Sequence, residues 1–67
     1  MSKFAENLRY YRKERKLTQL ALGEKVNMGY TIISMLESGR IAPDSETTEA
    51  LAKALDIPVM KLLGKYN

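Results

Sequence analysis

One short segment of the sequence contains four side chains that can contact another molecule. Tyr30, Thr31, Ser34 and Met35 share one face if residues 30–37 form a helix, because positions three or four apart lie together on a helical surface. Tyr30 can donate or accept one hydrogen bond and stack on a sugar, and Thr31 can form a weak hydrogen bond. Met35 offers only apolar contact. This strip therefore predicts a binding surface.

The composition argues against a catalytic role. The sequence has no Cys, which excludes a disulfide framework and thiolate metal sites, and no His, which removes the commonest catalytic base and metal ligand. A carboxylate or lysine enzyme is still chemically possible, but so small a chain would struggle to enclose a substrate pocket. We therefore expect no enzyme activity, no metal and no cofactor.

The length and composition predict one small folded domain over residues 1–67. The chain is 45% hydrophobic and 28% charged, with only 2 Pro and 4 Gly, which is typical of a globular protein rather than a disordered one. No apolar run approaches the roughly 20 residues that span a bilayer. The N-terminus also lacks the features of a secretory signal. We expect a cytoplasmic protein with no membrane partner.

The positive charge is concentrated at one end of the chain. Residues 1–16 carry six basic and two acidic side chains, a net charge of +4, whereas the remaining residues carry a net charge of −1. Such an excess on one side fits a polyanion partner, although a total of +3 is also ordinary for a soluble domain.

The hydrophobic periodicity is helical throughout and predicts an all-α fold with no sheet. The first helix carries the stripe Phe4, Leu8 and Tyr11. The others are predicted from Gln19 to about Val26, from about Tyr30 to Glu37, from about Ser45 to Leu55, and from Pro58 to about Leu63. The predicted inner face consists of Ile33 and Leu36 in the third helix and of Thr48, Leu51, Ala52 and Leu55 in the fourth. Thr18 and Asp44 are the expected N-caps of the second and fourth helices. Five short helices with short connections predict a compact bundle.

Residues 18–37 form the most informative unit of this bundle. Two short helices meet at Asn27-Met28-Gly29, a tight turn in which Asn and Gly tolerate a left-handed backbone. Such a pair is a helix-turn-helix, which projects its second helix outward. A helix of about 10 Å diameter fits a DNA major groove about 12 Å wide.

At this point the sequence resembles the lambda-repressor-like, Cro-type helix-turn-helix DNA-binding family over about residues 4–64. The resemblance implies a compact five-helix domain that binds double-stranded DNA as a transcriptional regulator, in the first place a repressor, of prokaryotic or phage origin. It is carried by Leu8, Arg12, Leu17-Thr18-Gln19, Leu22, Glu24-Lys25-Val26, Ile33-Ser34, Glu37-Ser38-Gly39-Arg40, Pro43, Leu51-Ala52-Lys53-Ala54-Leu55 and Ile57.

The resemblance also implies roles for individual positions. The positions of Tyr30, Thr31 and Met35 read base edges in similar proteins. Phosphate contacts are implied for Gln19, Ser34, Ser38 and Arg40, with a further one from Lys13 or, alternatively, Lys16. Arg12 and Glu37 are expected to form a structural ion pair. Because Gln19 is also an ordinary polar residue for a first helical turn, its phosphate contact is one of two readings.

Several features of the sequence depart from the family pattern. Gly23 stands where Ala is usual, at a cost in helix propensity near 1 kcal/mol, and Gly29 stands where a Ser or Thr N-cap is common. The recognition face itself lacks Arg, Lys, Gln and Asn, the side chains that make bidentate base contacts. Base reading is therefore expected to rely on thymine methyl groups, DNA shape and water.

Single-domain members of this family usually bind DNA as two-fold dimers, which implies a homodimer on a palindromic operator. The expected dimer contacts come from the C-terminal segment, namely Ile57, Pro58, Met60, Leu63 and Tyr66, with Leu63 alternatively a core residue. A second reading is a protein-interaction module of the same fold, antitoxin-like or an anti-regulator, whose apolar strip binds a protein partner instead of DNA.

Overall fold

A computed structural model describes residues 3–64, which form five helices and no strand. The helices are α1 (Lys3–Glu14), α2 (Gln19–Lys25), α3 (Tyr30–Glu37), α4 (Ser45–Leu55) and α5 (Val59–Leu63). α2 packs against α3, α1 packs against both α3 and α5, and α4 packs against α5. The all-α, five-helix prediction is confirmed.

Side-chain caps fix where α2 and α4 begin. The hydroxyl of Thr18 accepts a hydrogen bond of 3.0 Å from the backbone N–H of Ala21, and Asp44 Oδ1 accepts one of 2.8 Å from the N–H of Thr47. Both caps were predicted. The N–H of Thr47, assisted by its hydroxyl, also lowers the pKa of the Asp44 carboxyl, because the bond stabilises the ionised form.

Each helix contributes one apolar face to a single core. The periodic stripes predicted for α1, α3 and α4 lie inside it, and Thr48 is buried with them because its hydroxyl donates to the carbonyl of Asp44 at 2.9 Å. Tyr11 is half-buried at its edge. The buried cluster consists of Phe4, Leu8, Leu22, Ile33, Leu36, Leu51, Ala52, Leu55 and Leu62.

Some of the predicted boundaries and orientations in α2 and α5 need correction. α2 ends at Lys25 with Val26 as its C-cap, and α5 begins at Val59 because Pro58 has the extended backbone of an N-cap rather than a helical one. In α5 the fully buried residue is Leu62, whereas Leu63 is 44% exposed. The core reading of Leu63 was therefore wrong.

The turn between α2 and α3 brings two backbones into contact at Gly23. Asn27 has φ +59°, the left-handed conformation predicted for it, and the N–H of Met28 donates to the carbonyl of Gly23 at 2.8 Å. A Cβ on Gly23 would overlap the carbonyl oxygen of Met28. The sequence predicted a cost in helix propensity and a small residue where the two helices approach; the structure shows in addition that the turn leaves no room for a Cβ at Gly23.

Candidate nucleic-acid interface

Residues from α3 and the loop after it form one continuous exposed surface. Tyr30, Thr31 and Met35, the three predicted base readers, lie around a shallow depression of about 470 Å³ that is completed by Ser34, Ser38 and Arg40. We call these six residues the α3 surface. Tyr30 is 56% exposed at its N-terminal end, and Arg40 is exposed at the other. The structure thus joins the strip predicted on α3 to Ser38 and Arg40, two of the predicted phosphate contacts.

α3 holds this orientation because its opposite face is buried. Ile33 and Leu36 are at most 2% exposed and pack in the core, so the helix cannot rotate without uncovering them. At its start, Gly29 is the N-cap and makes no side-chain hydrogen bond. After Glu37, Ser38 and Gly39 end the helix, and Gly39 takes φ +79°, which turns the chain toward Arg40.

A buried ion pair joins α1 to the end of α3. Arg12 donates from Nε to Glu37 Oε2 at 2.6 Å and from Nη2 to Oε1 at 3.1 Å, and both side chains are at least nine-tenths buried. Arg12 Nη1 also donates to the carbonyl of Leu17 at 2.7 Å. This bidentate arrangement is the structural ion pair expected from the sequence.

Gln19 belongs to the same network. Its Nε2 donates to Glu37 Oε1 at 3.1 Å, so that one carboxylate receives N–H groups from α1 and α2 while it belongs to α3. Gln19 is half-buried at the first position of α2. The hydrogen bond fixes the side chain beside the surface where a phosphate contact was expected.

The cleft above this network is bordered by Arg9, a cation that the sequence analysis did not identify. This cleft of about 340 Å³ is bordered by Arg9, Gln19, Ser34 and Ser38, with Arg12 and Glu37 at its base. Arg9 is exposed one helical turn before Arg12. Its i, i+3 spacing from Arg12, which places the two side chains on one face of α1, was the available signal. Lys13 is exposed and does not line this cleft.

The predicted dimer residues fall into two groups. Ile57 is half-buried against the core, whereas Pro58, Met60 and Leu63 are exposed. Leu63 lines an apolar groove of about 480 Å³ together with Phe4, Ile41, Pro43 and Val59. Ile41 was not predicted, since a loop residue carries no periodic signal. Tyr66, the last predicted contact, lies outside the described residues.

Residues 8–62 match the family model described as helix-turn-helix. The chain belongs to the lambda-repressor-like helix-turn-helix family. This confirms the resemblance on which the sequence interpretation rested, and members of this helix-turn-helix family are transcriptional regulators rather than enzymes.

Individual members of the helix-turn-helix family are similar over most of the chain. An immunity repressor protein of Bacillus phage phi105 is 40% identical over 60 residues, which cover 90% of this chain and 42% of the repressor. The chain therefore spans less than half the length of that relative.

Two solved structures share the fold closely. The DNA-binding domain of the P22 C2 repressor has a TM-score of 0.86 at 37% identity, with 90% of this chain and 79% of that one covered. The restriction-modification controller protein C.AhdI from Aeromonas hydrophila has a TM-score of 0.86 at 28% identity, with 90% and 91% covered.

Residues 3–64 contain neither a membrane-spanning helix nor a cluster of metal-binding side chains. None of the five helices has the length and apolar character that crossing a membrane requires. Over the same residues, no group of acidic side chains is arranged to hold a metal ion.

Proposed function

We propose that this protein is a sequence-specific transcriptional regulator that binds double-stranded DNA and acts as a repressor. The observation that carries the proposal is the α3 surface, in which the exposed face of one outward helix is continuous with Arg40. A helix-turn-helix docks its second helix in the major groove and reads base edges with the residues of that helix. Tyr30, Thr31 and Met35 are the proposed readers.

Phosphate contacts on both sides of α3 would set its depth in the groove. Gln19, held by Glu37, and Arg9 border a cleft along one side of the helix, together with Ser34 of α3 and Ser38 directly after it. Arg40 lies on the α3 surface itself. Lys13 remains a proposed contact from the exposed side of α1. Contacts of this type position the protein without reading sequence.

The protein is further proposed to bind as a homodimer on a palindromic operator. Leu63 is exposed in the groove that contains Ile41, and Met60 is exposed on the same helix, so these side chains supply an apolar surface that two copies could share. Half-sites would then lie about 34 Å apart, which is one turn of DNA. Because the proposed ligand is genomic DNA, the site of action would be the cytoplasm and nucleoid of a prokaryotic host.

Selection of bound duplexes from a random DNA pool tests these proposals together. We expect enrichment of one imperfect palindrome with a fixed spacing between its halves. Gel-shift titration of the selected site at two salt concentrations should show affinity that falls steeply with salt, with a log–log slope of several units per dimer. Arg40→Ala should weaken binding to all sequences alike and reduce that slope by about 2, because each protomer of the dimer loses one phosphate contact.

Two outcomes would contradict the proposal. Absence of any retarded band at low salt would overturn the DNA-binding function and favour the protein-interaction reading of the Tyr30–Met35 strip. Enrichment of a site without internal symmetry would overturn the dimer while leaving DNA binding intact.

A further inference from the structure

The α3 surface has few groups that can distinguish the polar edges of base pairs. Its side-chain hydrogen-bonding groups, Arg40 aside, are the hydroxyls of Tyr30, Thr31, Ser34 and Ser38. A hydroxyl both donates and accepts and rotates to suit its partner, so it discriminates weakly between bases. The hydroxyl of Ser38 already donates to the carbonyl of Met35 at 3.1 Å. Polar readout by α3 is therefore limited.

The side-chain amide of Gln19, beside the α3 surface, already forms a hydrogen bond within the protein. Gln19 could in principle read adenine through its amide, as Gln does in bidentate base contacts. In this structure its Nε2 donates to Glu37 Oε1 at 3.1 Å, and Glu37 is itself 5% exposed. Turning Gln19 toward a base would deprive a buried carboxylate of one of its three N–H donors. The network thus favours a fixed Gln19.

Apolar groups make up the rest of the surface. The thioether of Met35, the γ-methyl of Thr31 and the ring of Tyr30 border the same depression. The apolar feature that projects into the major groove is the methyl group on C5 of thymine, where cytosine carries only hydrogen. Burial of one methyl group strengthens binding by about fourfold. Among the contacts open to this surface, the pyrimidine methyl group gives the sharpest discrimination.

We propose that the α3 surface reads the C5-methyl groups of pyrimidines in the major groove, and that it therefore accepts 5-methylcytosine in place of thymine at some steps. This inference rests on the DNA-binding function proposed above and specifies its ligand. Tyr30, Thr31 and Met35 recognise the methyl groups, whereas Arg9, Gln19 and Arg40 hold the duplex in place.

Modified duplexes of the selected site test the proposal. Deoxyuridine replaces, one at a time, each thymine that the selection enriches. The replacement removes the methyl group and leaves the base pair and the hydrogen-bonding groups in the major groove unchanged. We expect about a fourfold loss of affinity at each contacted thymine. The protein should bind weakly to a duplex with cytosine at the same position. A duplex with 5-methylcytosine at that position should regain several-fold of the lost affinity.

Variants at one position connect this effect to the protein. Thr31→Ser removes the γ-methyl and keeps the hydroxyl, whereas Thr31→Val keeps a methyl and removes the hydroxyl. At one base pair, the ratio between the affinity for the thymine duplex and that for the deoxyuridine duplex should fall toward 1 in Thr31→Ser. The same ratio should stay at its parental value in Thr31→Val. Arg40→Ala should lower both affinities and leave their ratio unchanged, because a phosphate contact does not sense the methyl group.

The outcomes separate this inference from the function on which it rests. Specific binding with equal affinity for thymine and deoxyuridine at every step would overturn methyl reading and leave DNA binding standing. Methyl reading would also be overturned if Thr31→Val abolished the preference for thymine over deoxyuridine while Thr31→Ser kept it. The hydroxyl of Thr31, and not its methyl group, would then be the group that contacts the base. Failure to bind any duplex would overturn both.

Discussion

The guanidinium of Arg12 and the carboxylate of Glu37 face each other through two hydrogen bonds of 2.6 and 3.1 Å, 25 residues apart in sequence and shielded from solvent. A charge buried without its partner is strongly unfavourable, whereas a buried pair and an apolar pair of similar size are often close in stability. The pair therefore joins α1 to α3. Replacing both residues by apolar side chains should destabilise the protein less than replacing only one of them.

Removing one charge of this pair should destabilise the domain. We expect Arg12→Met to lower the free energy of unfolding by about 3–5 kcal/mol, because Glu37 stays buried without a cation. The double variant Arg12→Met/Glu37→Leu should regain most of that loss. Urea unfolding monitored by circular dichroism measures both. An unchanged midpoint for Arg12→Met would refute a structural role for the pair.

Replacing Gly23 by Ala should be unfavourable although Ala is the better helix former. The substitution gains about 1 kcal/mol of helix propensity, but the new Cβ overlaps the carbonyl of Met28 and forces the turn to move. We expect a net loss of about 1 kcal/mol, as for an overpacked core site.

Glu24→Ala is the matched control, since it introduces Ala at the next, exposed position of the same helix. Its melting temperature should stay close to that of the parent protein. A Gly23→Ala protein that melts higher than the parent would show that the turn adapts without strain.

The N-cap of α4 should make stability depend on acid pH. The pKa of Asp44 is lowered in the folded protein, chiefly by the hydrogen bond from the backbone N–H of Thr47. Its contribution is therefore fully present above the pKa of the unfolded chain and disappears as pH falls through the lower folded value. Asn caps about as well as Asp but does not titrate.

Thermal melts from neutral pH to about pH 2 should thus show a larger decrease for the parent protein than for Asp44→Asn. Parallel curves for the two proteins would mean that ionisation of Asp44 does not stabilise α4.

The two candidate cations on α1 can be separated in the DNA-binding assay. Arg9 borders the cleft beside Gln19, whereas Lys13 lies outside it, so Arg9→Gln should weaken binding more than Lys13→Gln. Each phosphate contact that is lost should reduce the salt slope by about 1. Equal slopes for Arg9→Gln and the parent protein would remove Arg9 from the interface, and a larger effect of Lys13→Gln would favour the assignment made from sequence.

Neighbouring leucines in α5 should separate dimer formation from folding. Leu63 is exposed in the apolar groove, so Leu63→Lys should convert a dimer to a monomer in sedimentation velocity and leave the monomer folded. Leu62 is fully buried, so Leu62→Ala should lower stability by about 2–5 kcal/mol. Retention of the dimer in Leu63→Lys would move the interface elsewhere.

Local chemistry made most of the fold predictable from the sequence. Thr18 and Asp44 mark helix starts because their side chains bond to groups three residues away, and Ile33 and Leu36 reveal an inner face by spacing alone. The start of α5 was placed one residue early because Pro is acceptable both as a cap and in the first turn. The choice between Leu62 and Leu63 as the core residue depends on how α5 packs against α1.

The features that sequence could not supply depend on the meeting of distant segments. The place of Arg9 in the cleft follows from the packing of α1 on α3, and the commitment of Gln19 to Glu37 needs both helix ends in position. The contact between Gly23 and Met28 arises from the path of the turn. No periodicity in the chain encodes these distances.

The opposite orientations of Leu62 and Leu63 leave one position of α5 free to diverge. Under the proposed homodimer, variation at residue 63 would change which copies associate, while the buried Leu62 preserves the interior of each copy. Paralogues that share one cell could in this way become mutually exclusive partners, each still acting at its own target, through a single codon.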